Sequence, residues 1–265
     1  MIVVTGAAGM LGQDVVSAAG DGTVALSRAD LDVTDAGAAR EALDGADVVI
    51  NCAAWTDVDG AEEHAEEALA VNREGARNVA AAARRVVYVS TDYVFDGAKR
   101  APYVESDPTA PLQSYGRSKL AGELATAEAN PRHFIVRSSW LFGAGGGNFV
   151  ETMLRLGGER DELRVVDDQV GCPTFTGHLA GAIAALARTE DYGIHHLAGA
   201  GACSWYQFAR EIFDRSGVEC QVEPCTTDEY PLPARRPAWS VLGSERGRSL
   251  PPWQEGLDAY LGVRA

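Results

Sequence analysis

The stretch that most constrains this chain is TGAAGMLG, residues 5–12, because it follows the apolar run IVV directly and opens a helical pattern. Glycines at 6, 9 and 12 let the strand turn tightly, let a ligand approach the backbone and let the helix pack close to the strand. The helix N-terminus then offers unpaired N–H groups and a partial positive charge, which suit the phosphates of a dinucleotide. Gly6, Gly9 and Gly12 are therefore candidate cofactor-binding residues.

Beyond this turn the chain repeats the same logic. Strand-like runs at 2–6, 23–26, 47–53, 86–90, 134–139, 163–166 and 194–198 alternate with helical patterns at about 11–19, 35–44, 62–84, 114–129 and 176–188. Apolar strands alternating with helices predict βαβ units, hence an α/β fold of Rossmann type: a doubly wound parallel sheet covered on both faces. After residue 200 the character changes to a helix at 204–216, a short strand-like VECQVEP, a proline-rich EYPLPARRPAW and a last helix near 252–261. This is too little for an independent domain and reads as a small C-terminal substrate-binding cap. The expected division is a dinucleotide-binding domain of 1–139 plus about 172–200, and a cap of about 140–171 plus 201–265.

Charge and cysteine content exclude other classes. A net charge of −15 repels nucleic acid and anionic membrane surfaces. No apolar run reaches the roughly 18–20 residues that span a bilayer. The start, MIVVTGAAG, has no basic leader, so a signal peptide is not expected. Five cysteines without a CxxC pair predict reduced thiols in a cytoplasmic protein.

Of 23 basic residues only two are lysines, and one, Lys119, lies four residues after Tyr115 in YGRSK. On a helix the two share a face. A free phenol ionises near pH 10. A neighbouring ammonium favours the phenolate, which predicts a lowered pKa and a competent acid–base group. The run VVYVSTD places Thr91 at the carboxyl end of a strand, where such folds bind ligands, and makes it the expected donor to a carbonyl oxygen. Tyr115, Lys119 and Thr91 are thus the candidate catalytic set, with Tyr115 and Lys119 also facing the cofactor. The second strand ends in Ser27-Arg28 and not in an acidic residue. Arg28 can pair a 2′-phosphate, which favours NADPH and leaves NADH use open.

The spacing GxxGxxG resembles the extended short-chain dehydrogenase/reductases. Together, STDYVFDG (90–97), SYGRSKLAGE (114–123), RSSWLFG (137–143), NFV (148–150), VVDDQVGCPT (165–174) and PARRPAWSVL (233–242) resemble the dTDP-4-dehydrorhamnose reductase family from end to end. The resemblance implies NADPH-dependent reduction of the C4 ketone of dTDP-4-dehydro-L-rhamnose to dTDP-L-rhamnose. It implies Tyr115 as the acid, Lys119 as its support, Thr91 as the carbonyl donor, and Asp92 and Trp140 as substrate contacts. It also implies that Gly9, Met10 and Leu11 meet the pyrophosphate, Ala54, Trp55 and Thr56 line the cofactor, Val58 lies near substrate and nicotinamide, and Gln169 shapes the sugar pocket. Asp32, with Val33 beside it, matches the aspartate that contacts the adenine amine; as an isolated residue it equally suits a helix cap near Asp35.

Two features depart from the pattern. Trp55 stands where a smaller or polar aromatic residue is usual, and is expected to narrow the cofactor side of the cleft. Some family members form magnesium-bridged dimers through glutamates that are not placed in this sequence; no metal ligands are assigned, a magnesium requirement is left open, and the chain is expected to be a monomer or homodimer. His195 and His196 read as structural, Asp167 and Asp168 as loop-shaping, and GAGGG (143–147) as a mobile loop or one shaped around ligand. Arg235 and Arg236 suit either a nucleotide diphosphate or surface salt bridges. The rival functions are a 4-ketoreductase for another dTDP-deoxysugar, a sugar-nucleotide epimerase, and a dinucleotide-binding regulatory subunit of a methionine adenosyltransferase.

Overall fold

The computed structural model describes residues 1–264. β1 (Ile2–Thr5) leads through the glycine turn into α1 (Met10–Ala19), followed by β2 (Val24–Leu26), α2 (Ala36–Ala42) and β3 (Val48–Asn51). Then come α3 (Gly60–Glu63), α4 (Ala65–Leu69), a π-helical turn (Ala70–Gly75) and α5 (Ala76–Ala82), where the sequence pattern predicts one helix over 62–84. β4 (Val86–Thr91), α6 (Ser114–Ala129) and β5 (His133–Ser138) carry the chain across the sheet. The remainder comprises β6 (Leu141–Phe142), α7 (Phe149–Glu159), β7 (Glu162–Val166), β8 (Val170–Gly171), β9 (Thr174–Phe175), α8 (Thr176–Leu186), β10 (Gly193–His196), β11 (Cys203–Ser204), α9 (Trp205–Ser216), β12 (Gln221–Cys225) and α10 (Trp253–Arg264).

Six parallel strands form one sheet in the order β10-β5-β4-β3-β1-β2. Strand direction alternates side chains between faces, so adjacent valines serve opposite layers. Val4, Ile50 and Val87 pack with Leu11 and Val15 of α1 and Leu179 and Ile183 of α8. Val3, Val49 and Val86 pack with Ala39, Leu43, Val79 and Ala80 on the other face. Each such buried aliphatic side chain contributes about 1.5–3 kcal/mol. From β1 the chain goes first to β2 on one side and then to β3 on the other. That reversal opens a crevice at the carboxyl ends of β1 and β3, where a doubly wound sheet binds ligands.

Residues outside the sheet build a second apolar cluster from Phe142, Val150, Leu154, Phe208, Ile212, Trp253 and Leu257. LRVV forms a strand, but outside the six-stranded sheet: β7 pairs in parallel with β12. α7 is a helix that the sequence pattern did not reveal. Asn148 caps it by accepting from Glu151 N. All five cysteines are free. Among the described residues no helix is long and apolar enough to cross a membrane.

Candidate active site

The crevice is a cleft of about 670 Å³ lined by the glycine turn (Gly6, Gly9, Met10, Leu11 and Gly12) and Arg28, together with Thr91, Asp92, Tyr115, Lys119, Trp140 and Trp205. The glycine turn has hard steric reasons. Gly6 sits at φ 66°, and a Cβ on it would lie 2.5 Å from Ala53 N. A Cβ on Gly12 would lie 2.3 Å from the Gly6 carbonyl oxygen. Gly9 begins α1 without a side-chain cap, so the first N–H groups of that helix face the cleft unclaimed by a side chain. Arg28, exposed on the rim, forms no salt bridge among the described residues. An uncapped helix start beside a guanidinium fits a phosphorylated dinucleotide.

Asp32 is not the cap of α2. Its carboxylate accepts from Thr34 N and Thr34 Oγ1 at 2.9 and 2.8 Å, while Asp35 caps the helix by accepting from Gly37 N and Ala38 N. A local turn at LDVT competes more cheaply for that side chain than a helix three residues on. Val33 is buried among the core residues beneath. Ala54, Thr56 and Val58 line the cleft. Trp55 does not: its Nε1 donates to Asp57 O and its ring tilts against His64 at 5.8 Å. The expected narrowing by Trp55 is corrected on this point, because a hydrogen bond two residues ahead turns the indole aside.

Thr91, buried at the end of β4, donates to Asp92 Oδ1 at 3.1 Å and accepts from Tyr93 N at 3.2 Å. Tyr115 enters from the first turn of α6, which Gln113 caps through Gly116 N. Its ring meets Tyr93 edge-on at 6.3 Å. Burial pushes the Tyr115 phenol above its usual range, the Asp92 carboxyl adds to this, and a hydrogen bond with Thr91 opposes it. The predicted lowering by Lys119 is therefore corrected. Lys119 Nζ donates instead to Val89 O at 2.7 Å and sits 4.1 Å over the Tyr88 ring. Burial takes that amine down to about 7, against the pull of Glu123 and Cys52.

Asp92 is 2% exposed, and its Oδ2 has no hydrogen-bond partner among the described residues. Burial pushes this carboxyl up to about 7, with Ser240 and Thr91 opposing. A buried acceptor left open in a cleft is placed to meet a ligand hydroxyl.

Gln169 is buried but stands behind the cleft wall: it accepts from Trp205 Nε1 at 3.2 Å and donates to Thr227 Oγ1 at 3.0 Å. Sequence reasoning missed Trp205, whose neighbours come from distant segments. It also missed Asn72, which accepts from Trp55 N, donates to Ser118 Oγ and accepts from the Tyr88 hydroxyl, joining the 54–56 loop, α6 and β4. Gly145, Gly146 and Gly147 of GAGGG line the cleft beside Met10. Arg236 forms a two-pronged salt bridge to Asp59, and Arg235 is exposed. Asp168 accepts from Thr227 N and Asp167 from Ser204 Oγ, so both shape loops. His196 is buried among backbone carbonyls of Tyr103 and Gly243. Among the described residues no cluster of three or more His, Cys, Asp or Glu could hold a metal ion.

The family model described as the RmlD substrate binding domain matches residues 1–264. A dTDP-4-dehydrorhamnose reductase of Mycolicibacterium smegmatis is 43% identical, over 99% of this chain and 85% of its own. A dTDP-4-keto-6-deoxy-D-glucose reductase of Streptomyces niveus is 44% identical, over 93% of this chain and 89% of its own. The crystal structure of a dTDP-4-dehydrorhamnose reductase from Bacillus anthracis in complex with NADP has a TM-score of 0.96 at 38% identity, covering 100% of this chain and 99% of that one.

Proposed function

Because this chain belongs to the dTDP-4-dehydrorhamnose reductase family, we propose that it reduces the C4 ketone of dTDP-4-dehydro-L-rhamnose to dTDP-L-rhamnose with NADPH. The observation that carries this reading is the meeting of Thr91, Asp92 and Tyr115 in one cleft with the uncapped glycine turn. In this reading Gly6 to Gly12 hold the pyrophosphate and Arg28 the 2′-phosphate. Asp32 and Val33 lie at the adenine end, and Ala54 and Thr56 with Lys119 border the remainder. NADPH, when bound, supplies the hydride.

The chain's own residues supply position and a proton. Thr91 and Tyr115 hold the ketone oxygen between two hydroxyls, which favours the charge that develops there. Tyr115 Oη gives its proton to that oxygen as it becomes an alkoxide. A phenol whose pKa burial raises stays protonated at neutral pH, so it is loaded for donation and not for abstraction. Asp92 and Trp140 contact the sugar. The domain division at about residues 139, 171 and 200 belongs to the same reading, as does a soluble cytoplasmic location.

The second reading is a 4-ketoreductase for another dTDP-deoxysugar, favoured by the equal identity to the Streptomyces niveus enzyme. NADPH consumption with enzymatically generated dTDP-4-dehydro-L-rhamnose, run beside dTDP-4-keto-6-deoxy-D-glucose, decides between them. Faster turnover of the first is expected; turnover of the second alone would replace the assignment.

A further inference from the structure

Trp140 is the one non-glycine among the described residues with positive φ, at 49°. An L-residue held there costs about 1–2 kcal/mol, so its surroundings must impose it. They do so from several directions. Thr174 N donates to the Trp140 carbonyl at 3.1 Å, and Ser139 Oγ donates to Cys172 O at 2.7 Å. Gly171 packs so closely on the indole that a Cβ there would lie 2.4 Å from the ring. On the indole face lies Trp205, stacked with ring centres 3.4 Å apart and planes 5° off parallel.

Trp205 is itself held. It is the first residue of α9, whose start is fixed by the Ser204–Gln207 capping box. β11 pairs with β8 just before it, Cys203 opposite Gly171 and Ser204 opposite Val170. Its Nε1 donates to Gln169 Oε1, and Gln169 reaches on to Thr227, which Asp168 holds. The segment 167–171 thus braces the stack at successive residues: Asp167 on Ser204, Asp168 on Thr227, Gln169 on Trp205 and Gly171 against Trp140. Both indoles are half-buried and line the same cleft as the catalytic hydroxyls. Trp205 also packs on Phe149 at 4.5 Å at the edge of the second apolar cluster, so the stack joins the cleft wall to that core.

We propose that Trp205 is a positioning and specificity-determining residue: it presses Trp140 into one orientation, and the stacked pair forms a rigid aromatic wall for the apolar face of a 6-deoxysugar. A wall fixed before binding loses no side-chain entropy on contact and sets the distance from the ketone to Tyr115. The proposal rests on the ketosugar reading of the cleft.

The test compares full-length wild type with Trp205→Ala, Trp205→Phe and Gln169→Ala, by steady-state kinetics on the ketosugar, NADPH titration and thermal unfolding. Trp205→Ala should raise KM for the ketosugar about tenfold or more, with the NADPH Kd within about twofold. Trp205→Phe, which keeps a stacking ring, should recover most of that loss. Gln169→Ala should raise KM about threefold, and it carries the test with Trp205→Phe if the alanine variant does not fold. A ketosugar KM unchanged in Trp205→Ala, or one that changes only in step with NADPH affinity, overturns the role. Wild type that turns over no dTDP-4-ketosugar sinks the reductase reading and this proposal together; wild-type turnover with an unmoved KM sinks only the proposal.

Discussion

The ammonium of Lys119 lies 4.1 Å above the ring of Tyr88 and donates to the carbonyl of Val89, not to Tyr115. Burial brings its pKa down to about 7, so the folded chain carries neutral amine at mildly alkaline pH. Ribose hydroxyls and phosphates favour the ammonium, so dinucleotide binding above that pH takes up a proton. NADPH affinity should therefore fall by up to about tenfold per pH unit above about 7. Titrations between pH of about 6 and 9 check this against Lys119→Met, which should lack the slope; equal slopes in both would remove Lys119 from the explanation.

Tyr115→Phe keeps the ring against Tyr93 and removes only the hydroxyl that meets Thr91. Turnover should fall by roughly 10²–10⁴ while the NADPH Kd changes by less than about threefold. Steady-state rates with a parallel cofactor titration measure both, and near-normal turnover would give the proton to another group.

Asp92 titrates at about 7 in the folded chain, against 3.8 for an aspartate carboxyl in its ordinary solvated state. Its folded pKa is raised, so the stability it contributes is complete below about pH 4 and is lost as pH rises through about 7. Asp92→Asn has no such titration. Its Tm should gain on that of wild type by roughly 5 °C between pH of about 5 and 8, read by thermal unfolding. A constant difference across that window would place the carboxylate in a better-solvated state than its burial implies.

Gly12→Ala puts a methyl 2.3 Å from the Gly6 carbonyl oxygen, a backbone atom that cannot step aside alone. A loss of about 1–3 kcal/mol is expected, a fall in Tm of several degrees, with NADPH binding weakened at least about tenfold. An unaltered Tm would mean that α1 is free to slide along β1.

Local chemistry was legible in the sequence, and distant chemistry was not. Gly6, Gly9 and Gly12 answer to a turn of a few residues, and Tyr115 with Lys119 to one helical face, so their pattern is written in adjacent residues. The direction of Lys119 depends on a carbonyl of β4, thirty residues earlier. The Trp140–Trp205 stack needs two segments 65 residues apart to be brought together by β8 and β11. α7 escaped notice because Gly157 and Gly158 weaken its helical pattern, while its cap, Asn148, lies in a glycine-rich approach. The break in 62–84 was hidden for the same kind of reason: it serves Asn72, whose partners lie on three other elements.

That π-helical turn (Ala70–Gly75) is in effect one surplus residue carried inside a helix. Its excision would leave α4 and α5 in phase, since a bulge of this kind adds length without re-aiming its flanks. What would be forfeited is the junction at Asn72, against whose carbonyl Gly122 of α6 is packed too closely to admit a side chain. Losing it would leave the Trp55 N–H and the Ser118 and Tyr88 hydroxyls without these partners in a buried site, so a one-residue deletion there would cost stability although the helix itself could close.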